Sequence, residues 1–241
     1  MPLDIDRIHA LCFDIDGTLS DTDDHLVYHI NRKLWLLRGL FPRGDPRPFA
    51  RSIVMAIESP GNLIYSILDR LGLDDHLEKL NRGLSNFLAR HGWSIHPPTF
   101  WLMPGARQTL ERLSACYPMA IVSARDKRGT MAFLNQFDLA DYFIAIAHSQ
   151  TCDHTKPFPD PIQWAAKEMG VAPENCLMIG DTSVDIRAGK AAGAQTAGVL
   201  CGFGYENELK HAGADLILSS TADLIEKLIY QEENIHSNTL V

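Results

Sequence analysis

The sequence predicts an α/β protein, a parallel sheet covered on both faces by helices, with an all-helical module inserted after the first strand. Three observations carry that prediction. Short apolar runs recur along the chain, helix-like stretches separate the later ones, and residues 20–100 break the rhythm with helical stretches only. Strand alternating with helix is the pattern of a parallel sheet, because parallel neighbours need a crossover connection.

The first run, Ile-His-Ala-Leu-Cys-Phe at 8–13, stops abruptly at Asp14, as a buried strand does at the sheet edge. Similar runs follow at 119–122, 143–147, 176–179, 196–200 and 216–218. Helices are expected over 105–115, 127–137, 160–169 and 183–192, the last closing at Gly193, a favoured residue just past a helix end. Within the insert, helical stretches at about 23–38, 48–57, 60–71 and 75–91 are separated by Pro42, Gly44, Pro46, Pro60, Gly72, Gly92, Pro97 and Pro98. The predicted organisation is a core of residues 1–19 and 101–230, a helical insert at 20–100, and a polar, frayed tail at 231–241.

Composition excludes several classes. The 241 residues are 46% hydrophobic and 22% charged, an ordinary globular balance large enough to bury a core unaided. A net charge of -8 argues against general nucleic-acid binding, which needs a basic face. That charge is uneven. Residues 20–100 hold 10 bases and 9 acids, net +1, and the remainder 12 bases and 21 acids, net -9. No apolar stretch is long enough for a membrane span, and the first residues lack a signal-peptide pattern. Five scattered cysteines without a C-x-x-C pair read as reduced thiols, so the expected location is cytoplasmic.

Four polar elements follow predicted strands. In Asp14-Ile15-Asp16-Gly17-Thr18, two carboxylates on an extended segment point to one side at the carboxyl end of a strand, where open α/β sheets bind ligands. A surface turn is the alternative. In Gly180-Asp181-Thr182-Ser183-Val184-Asp185, the aspartates suit either metal ligation and its support or a helix cap. Ser123, with the N–H groups entering the next helix, makes an anion site or a cap. Lys156 precedes three prolines in five residues, which stiffen the segment carrying its ammonium. A parallel sheet would gather all four on one edge. Carboxylates for Mg²⁺, N–H donors and a lysine for phosphate then make a phosphoryl-transfer site.

These motifs resemble those of the haloacid dehalogenase (HAD) superfamily, specifically its phosphatases. The D-x-D-G-T motif is matched by Asp14, Asp16, Gly17 and Thr18, the hydroxyl motif by Ser123, the lysine motif by Lys156, and G-D-x-x-x-D by Gly180, Asp181 and Asp185. The resemblance runs from residue 8 to about 200, and Pro104-Gly105 stands where such chains re-enter the core. It implies a Rossmann-like core and a C1-type helical cap, as in phosphoglycolate phosphatase and β-phosphoglucomutase relatives. It also implies roles. Asp14 would attack phosphorus and form an aspartyl-phosphate, and Asp16 would protonate the leaving alcohol and then activate water. Asp14, the Asp16 carbonyl and Asp181 would hold Mg²⁺, with Asp185 as a further ligand or a support for its water shell. Thr18, Ser123, Ala124 and Lys156 would bind the phosphoryl group. Dehalogenases of the superfamily lack a carboxylate at the place of Asp16, so that activity is disfavoured.

Arg125, Arg47 and Arg51 are candidate substrate contacts, and Arg32 and Lys33 could also meet an anionic leaving group. His148 and His154 have no zinc spacing, and Gly202-Phe203-Gly204 is too short for a dinucleotide fingerprint. The expected activity is Mg²⁺-dependent hydrolysis of a small phosphorylated metabolite by a monomer or homodimer, without nucleic-acid or membrane partners. A sugar phosphomutase is the alternative within this chemistry, and a non-catalytic phospho-ligand module the alternative outside it.

Overall fold

The computed structural model describes residues 3–21, 34–41, 46 and 100–229. The chain divides into two compact units, Met1–Asp21 with Phe100–Val241, and Thr22–Thr99. In the second unit the described residues include a 3₁₀ helix, Trp35–Leu40, in which the Arg38 guanidinium lies 5.0 Å from the Trp35 ring centre. It overlaps the end of the helical stretch expected at about 23–38, of which 23–33 lie outside the described residues. The helices expected at 48–57, 60–71 and 75–91, residues Arg32, Lys33, Arg47 and Arg51, and the tail 231–241 lie outside the described residues.

The first unit is a six-stranded parallel sheet. Its strands are β1 Ala10–Phe13, β2 Met119–Val122, β3 Ala145–Ala147, β4 Cys176–Gly180, β5 Gln195–Val199 and β6 Leu216–Leu218. Spatial order is β3-β2-β1-β4-β5-β6, a Rossmann-like arrangement. The chain builds outward from β1 to β3, then returns to β1's other side with β4. β1 is therefore central, pairing Leu11 with both Met119 and Leu177, and Phe13 with both Ile121 and Ile179. The order reverses between β1 and β4. At such a reversal the connections leave in opposite directions and open a crevice at the strands' carboxyl ends.

Side chains alternate across the sheet and the two faces differ in size. Leu11, Phe13, Met119, Ile121, Leu177 and Ile179 face one way, against α1 Ala106–Ser114 and α2 Lys127–Gln136. Ala10, Cys12, Ala120, Val122, Ala145 and Ala147 face the other. There α3 Asp160–Glu168 places Ile162, Ala165 and Ala166, and α4 Ser183–Ala191 places Ala188. Small residues on both surfaces let these helices lie close to the sheet. Two further helices complete the unit, α5 Glu206–Ala212 beside α4, and α6 Leu224–Leu228 on the large-residue face. Among the described residues no helix is long and apolar enough to cross a membrane.

Candidate active site

The crevice between β1 and β4 collects the acidic residues. Asp14 follows β1 directly, and its N–H donates to Ile179 O at 2.9 Å, extending the β1–β4 ladder by one step. Asp181 follows β4, and Asp185 lies in the first turn of α4. One oxygen from each of Asp14, Asp181 and Asp185 lies within 4.8 Å of the others. Lys156 enters between them, with Nζ 2.7 Å from Asp14 Oδ1 and 2.6 Å from Asp185 Oδ1. All four are buried.

Burial and crowding set the electrostatics. Burial pushes the Asp14 carboxyl up to about 7; Asp185 and Asp16 push the same way and Lys156 opposes them. Asp181 is raised well above the ordinary carboxylate range, first by burial and then by Asp185 and Asp14. For Lys156 burial works against the charge, but Asp14 and Asp185 outweigh it and the ammonium is held more firmly protonated. One ammonium cannot neutralise three carboxylates. Asp181 Oδ2 accepts from Phe203 N–H at 2.7 Å, whereas buried Oδ1 has no hydrogen-bond partner. Closely held hard oxygens with excess negative charge and an orphaned carboxylate oxygen fit Mg²⁺.

Asp185 performs two tasks at once. Oδ1 takes the lysine, and Oδ2 accepts from Thr182 N–H at 3.1 Å and from Thr182 Oγ1 at 2.7 Å, closing a capping box on α4. The helix-cap reading of Asp185 is thus borne out, and the same side chain also lies among the buried charges.

At the end of β2, Ser123 N–H donates to Ala147 O at 3.0 Å, and its Oγ accepts from Arg125 N–H at 3.1 Å. Ser123 does not cap α2. Asp126 does, accepting from Gly129 N–H at 2.8 Å, because it stands one residue before the helix. Ala124 is exposed beside Ser123. Thr18 is fully buried; its carbonyl accepts from Thr221 Oγ1 at 2.6 Å and its own Oγ1 has no hydrogen-bond partner.

Arg125 is not a surface arginine. Its side chain is 2% exposed, and its guanidinium grips both oxygens of Asp16, Nε reaching Oδ2 at 2.7 Å and Nη2 reaching Oδ1. Phe100 and Phe133 pack against it, 4.9 and 5.7 Å from their ring centres to Cζ. His154 pairs with Asp160 at 2.9 Å, and His148 Nδ1 accepts from Gln150 N–H. Sequence reasoning did not anticipate the Asp16–Arg125 pair or the Phe203 N–H donor to Asp181.

A parallel sheet in this order, with acidic residues and one lysine at its switch point, is an α/β architecture suited to handling a phosphoryl group. The chain belongs to the haloacid dehalogenase-like hydrolase family, whose model matches residues 11–199. A phosphoglycolate phosphatase of Escherichia coli O157:H7 is 28% identical over 235 residues, covering 92% of each chain. Among solved structures, a β-phosphoglucomutase from Clostridium difficile matches at 26% identity with a TM-score of 0.58, covering 95% of this chain and 98% of its own. A hydrolase from Pseudomonas syringae shares the fold, with a TM-score of 0.61 at 24% identity over 91% of this chain and 97% of its own.

Proposed function

We propose that this enzyme is a phosphatase that hydrolyses a small phosphomonoester through an aspartyl-phosphate on Asp14. The single observation carrying this reading is the Asp14–Lys156–Asp185 chain of contacts beside Asp181, four buried charged groups converging on one point. Lys156 fixes one oxygen of Asp14, leaving the other for attack on phosphorus. The same ammonium offsets the charge of an arriving phosphoryl group. Ser123 Oγ and the Ala124 N–H bind phosphoryl oxygens at the neighbouring strand end. Asp16 donates a proton to the leaving alcohol and later takes one from water, once its carboxylate leaves the Arg125 guanidinium that holds both its oxygens at rest. Asp14, the Asp16 carbonyl and Asp181 would hold Mg²⁺, with Asp185 supporting the site through Lys156 and Thr182. Bound there, the ion would supply positive charge that lowers repulsion between the phosphoryl oxygens and the nucleophile. Thr18 is enclosed, so its part in phosphate binding is the backbone turn it shares with Gly17.

These core residues surround the phosphoryl group alone. We assign choice of leaving group to the insert at 20–100, whose +1 balance repels an anion less than the -9 of the remainder. The phosphatase name of the 28% identical relative favours a phosphorylated carboxylic acid such as phosphoglycolate. A phosphomutase reading is favoured by the likeness to β-phosphoglucomutase. The test is release of inorganic phosphate from phosphoglycolate, sugar phosphates, nucleotides and pyrophosphate, with Mg²⁺ and after exhaustive chelation. The same panel is run on a chimera carrying another C1 cap in place of 20–100. We expect Mg²⁺-dependent turnover and a changed substrate ranking in the chimera. Undiminished turnover without metal overturns the metal site, and an unchanged ranking overturns the role of the insert. Formation of glucose 6-phosphate from β-glucose 1-phosphate and a bisphosphate primer, without net phosphate release, would establish the mutase instead.

A further inference from the structure

We infer that the loop after β5, Gly202-Phe203-Gly204, is a positioning element that aims Asp181 at the metal site. The inference rests on the proposed metal site and adds to it residues from a separate strand connection. Three backbone positions enclose the Asp181 carboxylate. Phe203 N–H donates to Oδ2 at 2.7 Å. A Cβ on Gly202 would overlap Oδ2 and stand 2.6 Å from both Asp181 Cγ and the Gly17 carbonyl oxygen. A Cβ on Gly17 would also overlap Oδ2, and Gly17 has a φ of +69°, where side chains are disfavoured. A Cβ on Gly204 would overlap the Asp181 carbonyl oxygen, so the loop follows the aspartate's backbone as well as its side chain.

The consequence is asymmetric. Oδ2 is held by a backbone donor and walled in by two glycines, while Oδ1 is buried with no hydrogen-bond partner. A carboxylate fixed through one oxygen presents the other in a single direction, and groups that orient metal ligands are worth about 10–100-fold in metal affinity. The loop has no ionisable side chain of its own, so its contribution is placement.

The experiment reads metal binding rather than turnover. Free Mn²⁺ is followed by electron paramagnetic resonance in titrations of the full chain, Asp181→Asn, Gly202→Ala and the double variant, with Mg²⁺ as competitor and circular dichroism as the check of folding. We expect the parent to bind Mn²⁺ and Asp181→Asn to weaken binding strongly. Gly202→Ala should weaken it about tenfold or more. In the Asp181→Asn background Gly202→Ala should add nothing, because the loop acts through that carboxylate. A parent that binds no Mn²⁺, or binds it without need of Asp181, overturns the metal site and the inference with it. A parent that binds through Asp181 while folded Gly202→Ala stays within twofold overturns the loop's role alone. Should Gly202→Ala not fold, the parent decides: the Phe203 amide resonance should shift on adding Mg²⁺, and an unmoved amide refutes the inference.

Discussion

Lys156 and Asp14 are buried together and paired at 2.7 Å, which makes the charge of Asp14 depend on its neighbours. On the proposed mechanism Asp14→Asn removes the attacking oxygen while keeping nearly the same shape. It also leaves Lys156 with Asp185 as its carboxylate partner at 2.6 Å, so the ammonium is not abandoned in the core. We therefore expect a folded protein with a thermal midpoint close to the parent and turnover reduced by several orders of magnitude. Steady-state phosphate release from contaminant-free protein checks it, and retention of a tenth of parental kcat refutes Asp14 as nucleophile. Asp14 and Asp181 were legible in the sequence because each stands just beyond an apolar run, and Lys156 because of the prolines that follow it. Their connections were not. Asp16 and Arg125 lie 109 positions apart, and nothing in either motif says that they face each other. The Phe203 donor is a backbone group and leaves no mark in residue type at all.

At the scale of elements, periodicity located every strand and four helices of the core but not the last two. α5 buries only Leu209 among seven residues, and α6 spans five, too short for a 3.6-residue repeat to declare itself. Nor could pattern alone tell which face of a wholly buried strand meets which helix, since β1, β2 and β4 are apolar throughout. The structure resolves this into a large-residue face and a small-residue face. Where α3 meets the sheet, fully buried Ala165 and Ala166 pack in one cluster with alanines of β2 and β3. Ala166→Leu should destabilise by about 1–3 kcal/mol through overpacking. Leu110→Met on the opposite face conserves volume and should cost under about 1.5 kcal/mol. Urea unfolding of both variants is the measurement. Equal midpoints, or a more stable Ala166→Leu, would contradict the close approach of α3.

For the whole molecule, the order of the strands means that the acidic groups of the candidate site come from distant parts of the sequence. Asp14 ends the central strand, and Asp181 ends the strand that reaches it only after β2 and β3 have been laid down on the other side. The central position of β1 has a consequence in time. Leu11 must find Met119 on one flank and Leu177 on the other, contacts of very high sequence separation. Loops of that length add little to the thermodynamic cost of closure, about 0.6 kcal/mol per doubling, but they slow the search. During synthesis at about 5–20 residues per second, the chain from β1 to β2 takes roughly 5–20 s to appear. Through that interval β1, wholly buried in the finished protein, has neither neighbour. We expect refolding followed by pulsed hydrogen exchange to show the Leu11–Phe13 amides gaining protection together with Leu177–Ile179, after the amides of α1 and α2. Protection of β1 ahead of β4 would contradict this order. The edge that carries the candidate site would then be among the last parts of the enzyme to exist, and an incompletely folded chain would hold Asp14 without Lys156, Asp181 and Asp185 around it.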